Sequence, residues 1–181
     1  MASLSCGRVA LEALADRLHA GDDWGVARLN AVVRTSRRLR RLTSRTATAL
    51  AGVEVVLMGG LALGGRRSSA ARMLAAVALV YLASEGLGVL WPRRRPFTQL
   101  VDVEALVPHA GERSFPSRHV ASGLAMAAIG GRAHPRLGLA MATVAWALGL
   151  SRVAAGLHYP SDVLAGAALG RAIGQLVGRG G

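Results

Sequence analysis

Two strings in the last third of the chain gather the residue types that handle phosphate: Pro116-Ser117-Arg118-His119, and the run from Ser151-Arg152 to His158-Tyr159-Pro160-Ser161-Asp162. His158 and Asp162 are four residues apart, so on a helix opening near Pro160 they share one face. The carboxylate can then hold one ring nitrogen, leave the other as a nucleophile, and stabilise positive charge developing on the ring. Taken alone, a His-Asp pair at this spacing is more often a helix-end salt bridge. Arg152, six residues before His158, adds a planar, permanently charged fork that suits phosphate oxygens. Pro116 and Ser117 read as a helix start, where unpaired backbone N–H groups and the Ser117 hydroxyl make an anion site. His119, in the first turn of that helix, is placed to protonate a departing alkoxide and then to activate water. Arg95-Pro96-Phe97 lies ahead of both strings.

This ordered set resembles the three-part signature of the type 2 phosphatidic acid phosphatase family, K-x6-R-P, then P-S-G-H, then S-R-x5-H-x3-D. The third part is matched in full by Ser151, Arg152, His158 and Asp162. Two positions depart: Gly88 stands where the pattern has lysine, and Arg118 where it has glycine. The resemblance implies a phosphohistidine on His158, Asp162 as its orienting partner, and His119 as general acid and base. Arg95, Ser117, Arg152 and the backbone at Arg118 would hold the phosphoryl oxygens. It implies hydrolysis of a lipid phosphomonoester without metal or cofactor, because cationic side chains neutralise the charge; metal ligation by His119, His158 and Asp162 is the alternative. The narrower expectation is a polyprenyl-phosphate-linked sugar phosphate as substrate. A polyprenyl diphosphatase or a phosphatidylglycerophosphate phosphatase would use the same chemistry, and a catalytically silent membrane scaffold is the rival from another class. With no side chain at Gly88, the missing cation is expected from Arg93, Arg94 or Arg118. Arg118 is preferred, because at the pocket mouth it can also contact a second polar part of the substrate; a lipid-facing or salt-bridged arginine is its plain reading. Glu85, Arg94 and Ser151 are expected at the margin of the pocket, with a structural pairing between Glu85 and one of Arg93 to Arg95 as the alternative for Glu85.

Composition says what must position these residues. The chain has 181 residues, 52% hydrophobic, with a mean hydropathy of +0.37 and a formal charge of +12, so apolar mass and charge must be segregated. All 22 basic residues are arginine, and the single Cys6 excludes an internal disulfide. A membrane span needs about 20 mainly apolar residues. Thr46–Gly64, Ala71–Trp91 and Arg136–Gly156 meet that length, whereas Val120–Gly131 is shorter and Val163–Gly178 is interrupted by Arg171. Gly123, Ala127, Gly166 and Gly170 have the spacing that lets helices approach closely in lipid. The expected fold is all-α: a polytopic membrane helix bundle with five spans over residues 46–181, preceded by basic amphipathic interfacial helices over residues 1–45.

In that arm, Leu11, Leu14, Ala15 and Leu18 recur at helical spacing. A break is expected at Gly21-Asp22-Asp23, with Asp23 as N-cap of a second helix running from Trp24 through Arg34, Arg37, Arg38, Arg40 and Arg41. A basic amphipathic helix leading into a span reads as one held by anionic lipid head groups. An arginine-rich run can also be a nucleic-acid arm, which the adjoining membrane domain argues against. The expected partners are therefore a lipid phosphate and membrane lipids, not nucleic acid, with homo-oligomerisation left open. Five spans place the arm and all three motif segments on one face, and the nine arginines before Thr46 orient that face toward the cytoplasm of a plasma membrane.

Overall fold

The computed structural model describes the backbone of residues 2–108, 111 and 113–179, and side chains from Arg17 onward. Its helices are α1 (Ala2–Arg34), α2 (Arg37–Leu63), α3 (Arg67–Leu90), the short α4 (Pro96–Gln99), α5 (Arg118–Ala133), α6 (Pro135–Ala154) and α7 (Pro160–Gly178). Among the described residues the only strand-like pairing is an isolated antiparallel bridge between Arg94 and Arg113. The chain is a membrane helix bundle, as expected.

Among the described residues three helices, α2, α3 and α6, are long and apolar enough to cross a bilayer. They carry exposed Val56, Leu82 and Leu139 on their outer faces. The remaining two expected spans, α5 and α7, are the ones whose hydropathy is weak: Arg171 and Gln175 interrupt α7, and packing explains α5. α5 is the central helix, in contact with α3, α6 and α7, and buries Val120, Ala121, Ala125, Met126 and Ile129. Met73, Val80 and Met141 close around it. A helix that faces protein rather than lipid can be rich in glycine and alanine. Close approach also requires small residues here: a Cβ built on Gly166 would lie 2.5 Å from the Ser117 carbonyl oxygen, and one on Gly174 would lie 2.6 Å from that of Ala125. This contact lays the start of α7 beside the start of α5, so that the Ser117 N–H donates to the Asp162 carbonyl at 3.0 Å.

The N-terminal arm differs from expectation. α1 runs unbroken through Gly21-Asp22-Asp23, because the Asp22 carboxylate is taken by tertiary partners and does not terminate a helix. The break falls instead at Thr35-Ser36, where the Thr35 hydroxyl donates to the Val32 carbonyl at 2.7 Å. Arg37, Arg38, Arg40 and Arg41 therefore form the opening turns of α2. The second half of α1 is built into the bundle: Val26 joins Val153, Tyr159 and Val163 in one apolar cluster. Fully buried Asn30 donates to the carbonyls of Glu104 and Ala154, each at 2.9 Å, and accepts from the Glu104 N–H at 3.0 Å.

The turn after α6 aims the next segment. Gly156 has φ +75°, a left-handed conformation natural to glycine, and a Cβ there would stand 2.8 Å from the Glu104 carbonyl oxygen. Leu157 N–H returns to the Arg152 carbonyl at 3.0 Å, which folds His158 back over the end of α6.

Candidate active site

The three motif segments converge at the end of the bundle where α1 docks. His158 lies not on a helix but in the turn between α6 and α7, and is 3% exposed. Asp162 sits in the first turn of α7, where its Oδ2 accepts the Tyr159 N–H at 2.8 Å and its Oδ1 accepts from Arg93 Nη1 at 3.0 Å. The Nδ1 of His158 is 3.7 Å from Oδ2, too long for a hydrogen bond but close enough for the carboxylate to stabilise charge on the ring. The other ring nitrogen, Nε2, faces Arg95 Nη1 at 3.5 Å. Arg95 is fixed by donation to the Leu157 carbonyl at 2.7 Å and the Gly111 carbonyl at 2.6 Å.

Arg152, at the end of α6, is 4% exposed; its Nη1 donates to the Ala47 carbonyl at 3.1 Å, while its Nε has no partner among the described residues. The Ser117 hydroxyl is fully buried and likewise without one. Buried donors in this state favour an anion. The charge balance points the same way. Burial lowers Arg95 to about 10, with the neighbouring Arg152 adding to the effect. Burial also holds His158 below its ordinary 6.5, Arg95 and Arg152 acting in the same direction against Asp162, so the imidazole is neutral near pH 7.

A cavity of about 40 Å³ lies between Arg95, Arg152, His158, His119, Arg118 and Arg113, with Gly88 and Glu85 in its wall. His119 also borders a second, largely apolar space of about 200 Å³ between α2, α3 and α5, lined by Met58, Val77, Tyr81 and Met126 with Glu54. His119 thus lines both the polar cavity and this apolar space.

Not every expected residue lines the cavity. Ser117 and Asp162 are not among the residues that line it. Ser151 is buried with its hydroxyl turned to the Leu148 carbonyl at 2.8 Å, and Arg94 is exposed outside. Arg93 is committed elsewhere: it spans Asp162 and Asp22, with Nη2 to Asp22 Oδ2 at 2.7 Å, and stacks 3.8 Å from the Tyr159 ring centroid. Arg118 pairs with Glu85 at 2.6 Å across the mouth, over the Tyr81 ring. Glu85 therefore answers Arg118, and more distantly Arg113 at 3.9 Å, not the Arg93 to Arg95 cluster. Two participants were not foreseen. Asp22 accepts from the Ser161 N–H at 2.9 Å and from the Ser161 hydroxyl, bracing α1 against the start of α7; its signal was an acid pair inside an arginine-rich arm. The other is Arg113, outside every motif.

A helical membrane bundle closing over a buried histidine-arginine-aspartate cluster defines the class, a membrane protein built to handle phosphate. The model of the PAP2 superfamily matches residues 69–179, and the chain belongs to that family. It is 35% identical over 124 residues to the decaprenylphosphoryl-5-phosphoribose phosphatase of Mycobacterium tuberculosis, covering 68% of this chain and 67% of that protein. It is 37% identical over 84 residues to the bacitracin transport permease protein BcrC of Bacillus licheniformis, where the match spans 46% of this chain and only 41% of the relative. Two solved structures share the fold. Aquifex aeolicus LpxE superposes with a TM-score of 0.73 at 24% identity, covering 84% of this chain and 91% of that one. A PAP2-type phosphatidylglycerolphosphate phosphatase from Bacillus subtilis gives 0.70 at 21%, covering 97% and 92%.

Proposed function

We propose that this chain is an integral-membrane, metal-independent lipid phosphate phosphatase that works through a phosphohistidine on His158. The observation that carries the reading is the buried His158, whose Nε2 faces the cavity-lining Arg95 at 3.5 Å while Nδ1 is backed by Asp162. In the first step Nε2 attacks phosphorus, the P–O bond to the lipid breaks, and His119 gives its proton to the leaving alkoxide. Asp162 offsets the positive charge that appears on the His158 ring. In the second step His119 takes a proton from water, whose oxygen displaces the histidine and releases inorganic phosphate. Arg95 and Arg152 hold the phosphoryl oxygens throughout and supply the neutralisation that a metal gives elsewhere. The placing of His119 between polar cavity and apolar groove suits this role, because the alkoxide leaves still attached to its lipid chain.

The preferred substrate is a polyprenyl-phosphate-linked sugar phosphate such as decaprenylphosphoryl-5-phosphoribose, in cell-wall arabinan precursor synthesis. The mycobacterial relative that shares 124 aligned residues supports this choice, as does the Arg118–Glu85 pair, which offers a charged and hydrogen-bonding rim beyond the reacting phosphate. The arginine-rich N-terminal arm supports a site on the cytoplasmic face of the plasma membrane, and the exposed Leu18 and Trp24 of α1 suit an interfacial position.

The test is release of inorganic phosphate by purified protein in EDTA from three lipids: the phosphoribose lipid, decaprenyl diphosphate and phosphatidylglycerophosphate. The expected result is turnover of the first above the others. Faster release from the diphosphate shifts the assignment to carrier recycling, and no release from any of them favours the silent scaffold.

A further inference from the structure

Resting on the phosphatase reading, we propose that Arg113 supplies the phosphoryl-binding cation that α3 lacks at Gly88, reaching into the cavity from the segment before α5. Gly88 is buried in the cavity wall and brings no side chain there. A Cβ built on it would lie 3.2 Å from the Phe115 carbonyl oxygen, 3.6 Å from Cδ and 3.7 Å from Nη1 of Arg113, so the arginine stem lies against the ground that a side chain on α3 would otherwise take.

The backbone holds Arg113 in that place. Arg113 bridges Arg94, and the N–H of buried Ser114 donates to the Arg93 carbonyl at 2.8 Å. The segment is thereby registered against the strip that carries Arg95 into the cavity. The other arginines nearby have prior engagements: Arg93 with Asp22 and Asp162, Arg118 with Glu85 at 2.6 Å, while Arg94 is exposed outside. Arg113 is held only loosely by Glu85, at 3.9 Å, and its side chain is 48% exposed. It can therefore exchange that distant carboxylate for a phosphate, whose oxygens its fork fits in pairs.

The experiment measures binding of inorganic phosphate to purified full-length protein by competition against turnover and by thermal shift in detergent, for wild type, Arg113→Ala, Arg113→Ala with Gly88→Lys, and His158→Ala. Arg113→Ala is expected to weaken phosphate binding roughly tenfold, about 1.4 kcal/mol, with the melting temperature of the phosphate-free protein unchanged. Gly88→Lys in that background is expected to restore affinity to within about threefold of wild type; a purely structural role of Arg113 would not be repaired from another helix. Phosphate affinity of Arg113→Ala within about twofold of wild type overturns the assignment, as does a loss that Gly88→Lys leaves wholly unrepaired while the melting temperature of the double variant matches that of Arg113→Ala, which shows that the lysine fits beside the Phe115 carbonyl. Failure of the phosphatase reading looks different: wild type would then bind no phosphate and release none, and His158→Ala would be indistinguishable from it.

Discussion

Asp22→Asn tests how far the N-terminal helix supports the site. Asp22 is 6% exposed and accepts from Arg93 Nη2 at 2.7 Å, from the Ser161 N–H at 2.9 Å and from the Ser161 hydroxyl. The amide keeps the shape but removes the charge and turns one acceptor into a donor that faces other donors. Breaking a fully buried ion pair costs about 3–5 kcal/mol. That figure is too large here, because Arg93 is 21% exposed at its side chain and keeps Asp162 at 3.0 Å. The loss of charge-assisted hydrogen bonds, about 1.5–3 kcal/mol, is the better measure. For a chain of this size that lowers the melting temperature by roughly 3–12 °C. Arg93, freed on one side, would then pull on Asp162 alone and disturb the carboxylate behind His158, so kcat falls severalfold. Phosphate affinity holds, because Arg95 and Arg152 do not touch Asp22. Differential scanning fluorimetry in detergent and initial rates of lipid-phosphate hydrolysis read both effects. A melting temperature within about 1 °C of wild type together with unchanged kcat would refute the bracing of the site by α1.

Further outcomes follow from the same geometry. Gly166→Ala drives a methyl into the Ser117 carbonyl, 2.5 Å from the Cβ position, and is expected to cost about 1–3 kcal/mol while lowering kcat, since it parts the starts of α5 and α7; a silent substitution by melting curve and rate would contradict that contact. His158 has a folded pKa below 6.5, so the unfolded chain takes up a proton that the folded site refuses. Stability from this group is present above 6.5 and is lost as pH falls below it, and His158→Gln should flatten the drop in melting temperature from about pH 7 to about pH 5. His119→Ala should slow cleavage of an alkyl phosphate by roughly 10²–10⁴-fold but that of an activated aryl phosphate much less; equal losses in the two assays would remove His119 from the role of general acid.

The motif segments were legible because their chemistry depends on short spacings. Arg152 and His158 are tied together through one glycine turn, and Asp162 follows four residues after His158. The spans α2, α3 and α6 were legible because each carries a long apolar run, with exposed Val56, Leu82 and Leu139 on their outer faces. α5 and α7 gave weaker signals for different reasons: α5 is short and buried among other helices, so glycine and alanine suffice, whereas α7 keeps exposed Leu164 and Leu176 but is interrupted by Arg171 and Gln175, and meets α5 through small residues such as Gly166 and Gly174. What the sequence could not announce were the long-range partnerships. Asp22 reads locally as a helix breaker, and only the approach of Ser161 and Arg93, 139 and 71 positions away, turns it into a brace within a continuous helix. Arg113 lies in no motif, and its relation to Gly88 depends on the bridge to Arg94. Arg94 and Ser151 illustrate the reverse case, where neighbourhood in sequence to Arg95 and Arg152 does not carry into the cavity.

Rapid-quench labelling with a phosphate-radiolabelled lipid monophosphate tests the phosphohistidine on His158 most directly. Purified protein mixed with substrate and quenched in alkali should carry protein-bound phosphate that survives base and is lost in mild acid, mapped to the peptide containing His158 and absent from His158→Ala. Turnover with no such label, or label that persists in His158→Ala, would contradict a covalent role for this histidine.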